Sequence, residues 1–321
     1  MEIPVELFNT VWYICVYSLM AIPLTLSYRI SKVMNFAHGV YITLGAYTTI
    51  LIGAGSGVRI SPVVAVPAAF LVGASIAVVT DILVFSPLIR RESNPVALMI
   101  ASMGAWIFIK NAFYAVIDIL QKSWMTSLFY TSPNIDLPAK IAIGSFDINV
   151  RLLFVISLTA VSLSLLAYFL TRTRLGMALR AVADNLDLAQ ISGISRERVM
   201  LVTWLISGGL AGLGGFALSL FTYVSPELGD IVTLQVFACS VIGGLTSIPL
   251  TFAGSVVISS SENILIVFLY RYLGVELSFR PFLSFFALLF VILIRPPAGA
   301  GGGLPYRFHL GRISSKERGK P

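Results

Sequence analysis

Residues Thr171–Arg198, TRTRLGMALRAVADNLDLAQISGISRER, form the longest polar interruption in a chain that is otherwise almost entirely apolar. On either side lie uncharged runs, Leu152–Leu170 and Val199–Val224, each long enough to cross roughly 30 Å of hydrocarbon. The interruption sets Arg172, Arg174, Arg180, Arg196 and Arg198 against Asp184, Asp187 and Glu197. It also reads as ordered. Gly176–Val182 is expected to extend the preceding helix, and Asp184-Asn185 offers side-chain oxygens to start a new one. Gly193 is placed to end that second helix in a left-handed turn. Ala181, Asn185, Ala189 and Gly193 fall four apart, which on one helix makes a stripe of small residues along one face. The residues leave two readings open: a solvated loop beside the membrane, or a short helix shaped to fit into another protein.

Composition sets the class. Hydrophobic residues are 57% of the 321 and charged residues 12%, against about 25% charged in a soluble domain, and the mean hydropathy is +0.90. The two cysteines, Cys15 and Cys239, sit in apolar runs and support neither a disulfide framework nor a metal cluster. The opening MEIPVELF is acidic where a signal peptide is basic, so the first apolar run is read as a retained span.

Nine candidate spans follow in order: Phe8–Tyr28, Phe36–Ala54, Pro62–Leu88, Val96–Ile117, Leu152–Leu170, Val199–Val224, Ile231–Leu245, Pro249–Tyr270 and Phe282–Ile294. Charge tests the count. With an outside amino terminus and a cytoplasmic carboxyl terminus, 15 of the 22 basic residues fall inside, counting the five loop arginines with Arg29, Lys32, Arg90, Arg91, Arg295 and the tail. Six fall outside: Arg59, Lys122, Lys140, Arg151, Arg271 and Arg280. Dropping the short seventh span would put the opening loop and the basic tail on opposite sides. The net charge of +7 is therefore a topology signal and no evidence for nucleic acid. The expected fold is an all-α polytopic membrane protein, with a transmembrane domain over residues 1–298 (polar loop 171–198) and a flexible basic tail over residues 299–321 that begins in AGAGGG. Asp118–Asn149, with Trp124, Phe129 and Tyr130, is expected to form an external cap. No internal sequence repeat is clear.

Polar residues inside spans are the candidates for work, because an isolated charge at a helix centre costs roughly 3 kcal/mol or more. Asn35-Phe36-Ala37-His38-Gly39 re-enters the membrane after a very short turn. Asn35 is placed to cap, Gly39 to allow close backbone approach, and His38 either to pack or to line a path. Gly243-Gly244 before Ser247-Ile248-Pro249 marks a second break, tolerated at membrane depth only inside protein or beside water. Lys110-Asn111 and Glu262-Asn263 put polar groups within spans, and Lys110 with Glu262 is the expected ion pair, Asp81 being another acid within reach. In SGGLAGLGGFA, Ser207, Ala211 and Gly215, and Gly208 and Gly212, read as close helix packing. No GxxxxGK[ST], HExxH or GxSxG occurs, so neither ATP hydrolysis by this chain nor intramembrane enzymology is expected.

ALRAVADNLDLAQISGI resembles the cytoplasmic loop of permease subunits of branched-chain amino-acid ABC importers, matching it at Ala181, Ala183, Asp184, Asn185, Ala189, Gly193 and Ile194. NFAHG, GGLTSIPLTFAG at Gly243–Gly254 and the exit Arg295-Pro296 are also typical of that family, in the same order. The resemblance implies that residues 1–298 are a permease domain whose loop 171–198 is a coupling helix docking on an ATPase, while the breaks and polar groups within spans make Asn35, His38, Gly39, Asn111, Gly243, Gly244 and Glu262 the expected translocation path. It implies a multi-pass cell-membrane protein working with a second related permease, two ATPase subunits that bind ATP and Mg, and an external substrate-binding protein. This chain itself would carry no cofactor. The family usually has a neutral amide where Lys110 stands. The competing reading is an autonomous secondary transporter or channel for small polar solutes, which would use the intramembrane charges for ion coupling and need no docking loop.

Overall fold

Helix starts are written locally. Asn94 Oδ1 accepts from the Ala97 amide at 2.7 Å and Asn149 Oδ1 from the Leu152 amide at 3.0 Å. Pro62, Pro95 and Pro249 sit in first turns, where no amide donor is needed. The computed structural model describes residues 5–56, 59–91, 93–138, 140–143 and 146–294. Its helices are α1 Val5–Ser31, α2 His38–Ser56, α3 Pro62–Arg90, α4 Pro95–Trp124, α5 Val150–Arg172, α6 Arg174–Asp184, α7 Leu186–Ile191, α8 Arg196–Ser219, α9 Leu228–Ile242, α10 Ile248–Leu273 and α11 Arg280–Ile294. One antiparallel hairpin pairs β1 Lys140–Ile143 with β2 Phe146–Asn149. The tail from residue 295, with Arg295-Pro296 and Gly299–Gly303, lies outside the described residues.

The fold is helical, and among the described residues six helices are long and apolar enough to cross a membrane: α1, α3, α4, α5, α8 and α10. Helix α2 spans 19 residues, and α9 is a shorter apolar helix of 15 residues, about 22 Å long. The expected fourth span was too short, since α4 runs on to Trp124 and stops where Met125 takes a left-handed backbone. The expected sixth was too long: α8 ends at Ser219. Both errors come from reading hydropathy, which does not see where backbone hydrogen bonding stops.

Helix α8 is the centre. Its small residues face three neighbours at once. Side chains at Gly208 and Gly212 would strike the backbone of α3 at Gly73 and Ala69. One at Gly215 would strike the Ile42 carbonyl of α2, and one at Gly214 the Met20 side chain of α1. Ser207 Oγ donates to the Pro23 carbonyl of α1 at 2.9 Å. Apolar surface gives no drive between helices in lipid, so this close backbone contact supplies the cohesion. In contrast, α4 and α5 leave much of their apolar surface exposed.

The triplets α1–α3 and α8–α10 are built alike, a relation invisible in the sequence. Helix α3 packs along α8, and α10 along α1. Both third helices contain a π turn, Asp81–Phe85 in α3 and Ser261–Leu265 in α10, and each turn carries a buried acid, Asp81 or Glu262. The two ends of the bundle differ. At one, Arg29 pairs with Asp184 at 3.2 Å and Arg90 with Glu197 at 3.1 Å. At the other, residues 125–138 form a cap narrower than the expected 118–149, whose first residues continue α4: Ile60 exchanges backbone bonds with Asn134 and Asp136, Thr131 with Val224, and Tyr47 donates to the Leu128 carbonyl at 3.0 Å.

Candidate functional site

At the arginine end the polar interruption is two helices. Gly176–Val182 does not extend α5. Thr173 breaks the helix with extended backbone, and its hydroxyl caps the Gly176 amide at 3.0 Å. Asn185 restarts the chain in the same way, accepting from the Leu188 amide at 3.0 Å. Gly193 closes α7 with a φ of 83°, and the Ile194 amide returns to the Ala189 carbonyl at 3.0 Å, as expected. The small-residue stripe is overturned by the same break, because Ala181 lies on α6, Ala189 on α7, and Asn185 between them in extended conformation. Ala189 points inward, 3% exposed, while Leu188 and Ile191 stand out at 62% and 84%. Ala183 and Ile194 pack against the core, and Asp184 ties the pair of helices to α1 through Arg29.

The two helix breaks lie close together. Tyr28, Val241 and Leu245 form a small apolar cluster flanked by Met34, Leu288 and Val291, which joins the turn before Asn35 to the turn after Gly243. Asn35 Oδ1 accepts from the Ala37 amide at 3.0 Å, and the Phe36 amide donates to Ser102 Oγ at 3.2 Å. Gly39 meets Gly229 at the start of α9, where a side chain on either would collide with the other helix. His38 is buried, and its Nε2 donates to the Met20 carbonyl at 2.8 Å. Gly244 and Leu245 both take positive φ, 68° and 59°, and a side chain at Gly243 would strike Thr251.

The expected Lys110–Glu262 pair does not form. Lys110 Nζ donates to Asp230 Oδ2 at 2.5 Å, and Trp106 Nε1 donates to the other oxygen at 2.7 Å. Glu262, on the π turn of α10, instead accepts from Tyr17 Oη at 2.7 Å and from Ser284 Oγ. Asp81 accepts from Ser86 Oγ at 3.2 Å. Which helices meet decides the partners: α4 lies beside the start of α9, whereas Glu262 is enclosed by α1 and α11. Asp230 also sits in the first turn of α9, where the helix dipole favours a negative charge. Asn111 is exposed on α4 and donates to its own Ile107 carbonyl at 2.7 Å.

Residues 6–294 match the family described as branched-chain amino acid transport system / permease component. The chain belongs to this family. A probable branched-chain amino acid transport permease protein LivH of Methanocaldococcus jannaschii is 32% identical over 280 residues, covering 87% of this chain and 86% of the relative. The high-affinity branched-chain amino acid transport system permease protein LivH of Escherichia coli is 27% identical over 311 residues, covering 91% and 93%. BraD of Pseudomonas aeruginosa, described in the same words, is 26% identical over 290 residues, covering 87% and 90%.

Two features of this permease escape sequence reading. Asp230, one residue from the expected start of a span, is Lys110's partner, and the signal available was a lone acid ahead of an apolar run. Leu188 and Ile191 are the outward face of α7, and no local signal separates them from the inward Ala189. The Lys110–Asp230 pair is 23% exposed at both side chains, so breaking it should cost about 2 kcal/mol, below the range for fully buried pairs. Lys110→Met alone is expected to lower the melting temperature in detergent, and Lys110→Met with Asp230→Asn to recover part of the loss. Equal melting of single and double variants would show that the pair adds nothing.

Proposed function

We propose that this permease is one membrane half of an ATP-driven importer of branched-chain or closely related small amino acids, resident in the cell membrane and crossing it nine times. Its amino terminus is external and its arginine end cytoplasmic. The observation that carries the reading is the α6–α7 pair, held to the bundle by Arg29–Asp184 and presenting Leu188 and Ile191 outward. Apolar side chains on a rigid, water-facing helix are what a protein partner recognises. The partner is a cytoplasmic ATPase, two copies of which bind ATP and Mg. A second, related permease completes the path and an external binding protein delivers the substrate. Closure of the ATPases moves α6–α7 and switches the path between sides, with the breaks around Asn35–Gly39 and Gly243-Gly244 as the bending points. The secondary-carrier reading needs a buried ionisable group free to load an ion. Lys110 is paired and Glu262 accepts from two hydroxyls, which counts against it, while Asp81, buried and accepting from Ser86, is the acid left to that reading.

Nine crossings are supported by how helix ends pair: the ends of α1 and α3 meet the polar loop and the start of α8, and the cap gathers the α2–α3 turn with the end of α8. In a background lacking Cys15 and Cys239, cysteines at Ser192 and Ser132 should react with an impermeant thiol reagent from opposite sides. Reaction from the same side would reject the topology. For function, co-expression with candidate ATPase and binding-protein partners should yield leucine uptake that requires ATP. Uptake driven by an ion gradient in this permease alone would favour the carrier.

A further inference from the structure

At the end of the bundle opposite the arginine loop, an open cleft of about 760 Å³ lies between the start of α1 and the turn from α10 to α11. That volume falls within the roughly 300–1,000 Å³ of small-molecule sites. Its lining is unusual for a surface beside lipid. Glu6 contributes a carboxylate, Arg271 and Arg280 two guanidinium groups, and Asn9 and Asn263 neutral amides. Charges of both signs line one cleft, yet no salt bridge joins Glu6 to either arginine among the described residues. Asn263 is 2% exposed. Its Nδ2 donates to the Ser259 carbonyl at 2.9 Å, while its Oδ1 is buried with no partner. Arg280 Nε is likewise buried without an acceptor. Buried polar atoms left unpaired are costly, about 1–3 kcal/mol each, and here an acceptor and a donor without partners belong to residues lining the same cleft.

We propose that this cleft binds the zwitterionic end of an aliphatic amino acid on the external side. The proposal rests on the importer reading and adds to it a substrate site within the permease. Glu6 and Asn263 Oδ1 accept from the ammonium group, Arg271 and Arg280 donate to the carboxylate, and Val5 and Val267 offer apolar surface to the side chain. A ligand with one charge only would leave the opposite wall unmatched. An anionic lipid headgroup would meet the Glu6 carboxylate unfavourably. Charge complementarity of both signs therefore favours the amino acid over an anionic lipid.

The test is substrate protection in membranes carrying the assembled importer. In the background without Cys15 and Cys239, Leu277→Cys, exposed on the turn before α11, is modified by an external impermeant thiol reagent. Leucine, at up to about 10 mM to exceed the usual ceiling of KM values, should slow modification at least threefold and saturably. Its analogues 4-methyl-2-oxopentanoate, without the ammonium, and leucinol, without the carboxylate, should not. Arg280→Gln and Glu6→Gln should each remove the protection by leucine. Absence of protection by leucine while uptake is intact would overturn the proposal, as would equal protection by all three compounds. Protection that follows anionic lipid content alone would show a headgroup site, and protection by substrate-free binding protein alone a docking surface. Either overturns it. Protection without ATP-dependent uptake would keep the cleft and reject the importer reading, so the two failures are distinguishable.

Discussion

Leu188→Glu combined with Ile191→Glu is expected to abolish transport while leaving the permease folded and inserted. Both side chains point away from the bundle, and nothing that holds α7 in place involves them. The cap is Asn185, the inward contact is Ala189, the tether is Arg29–Asp184, and the exit is Gly193. Fully burying a Leu or Ile side chain is worth about 1.5–3 kcal/mol, which a charged replacement gives up. If an ATPase covers both, as proposed, losing the two weakens its docking roughly a thousandfold at 1.4 kcal/mol per tenfold, before the cost of burying the new carboxylates. Co-purification of the ATPase with the affinity-tagged permease measures this directly, with the amount of permease in the membrane as control. Retained co-purification and uptake would make α6–α7 a solvated loop. Gly193→Arg should be milder. A side chain there meets no atom within 4 Å and costs only the strain of a φ of 83°, about 1–2 kcal/mol.

Gly212→Leu is expected to prevent folding. The residue sits where α8 crosses both α2 and α3. A side chain would run into the Ala69 carbonyl, and Gly45 of α2 already lies against the Gly212 backbone from the other direction. Backbone atoms on both sides leave no rotamer to turn away, so the helices must separate, at a cost of about 3 kcal/mol or more. The matched control is Gly104→Leu on α4, which meets nothing within 4 Å and should leave expression unchanged. Monodisperse yield after size-exclusion chromatography reads the difference. If Gly212→Leu elutes like Gly104→Leu, close packing at α8 does not hold this bundle together.

The sequence by itself determined the class of protein, six of the nine expected membrane-length segments, the breaks at Asn35–Gly39 and Gly243-Gly244, and the left-handed turn at Gly193. Each of these is local. A span is a count of consecutive apolar residues measured against bilayer thickness, and a break is a glycine, proline or capping side chain acting on its own backbone. It also recognised SGGLAGLGGFA as packing, because only small side chains let membrane helices touch. What it left open were the facts that depend on helix rotation and neighbourhood. In water, an amphipathic pattern says which face turns inward. In helices apolar all round that pattern is missing, so buried α8 and exposed α5 read alike. For the same reason Lys110 could be matched with Glu262 on charge alone. Only the packing of α4 beside the start of α9 gave it Asp230, and only the enclosure of α10 by α1 and α11 gave Glu262 its hydroxyl donors. The small-residue stripe failed for a related reason: spacing by four predicts a shared face only while one helix continues, and Asn185, a good cap, ends one helix and starts the next. Tertiary structure therefore decided which side of α7 meets the solvent, because inward Ala189 and outward Leu188 and Ile191 are set by what the bundle already covers.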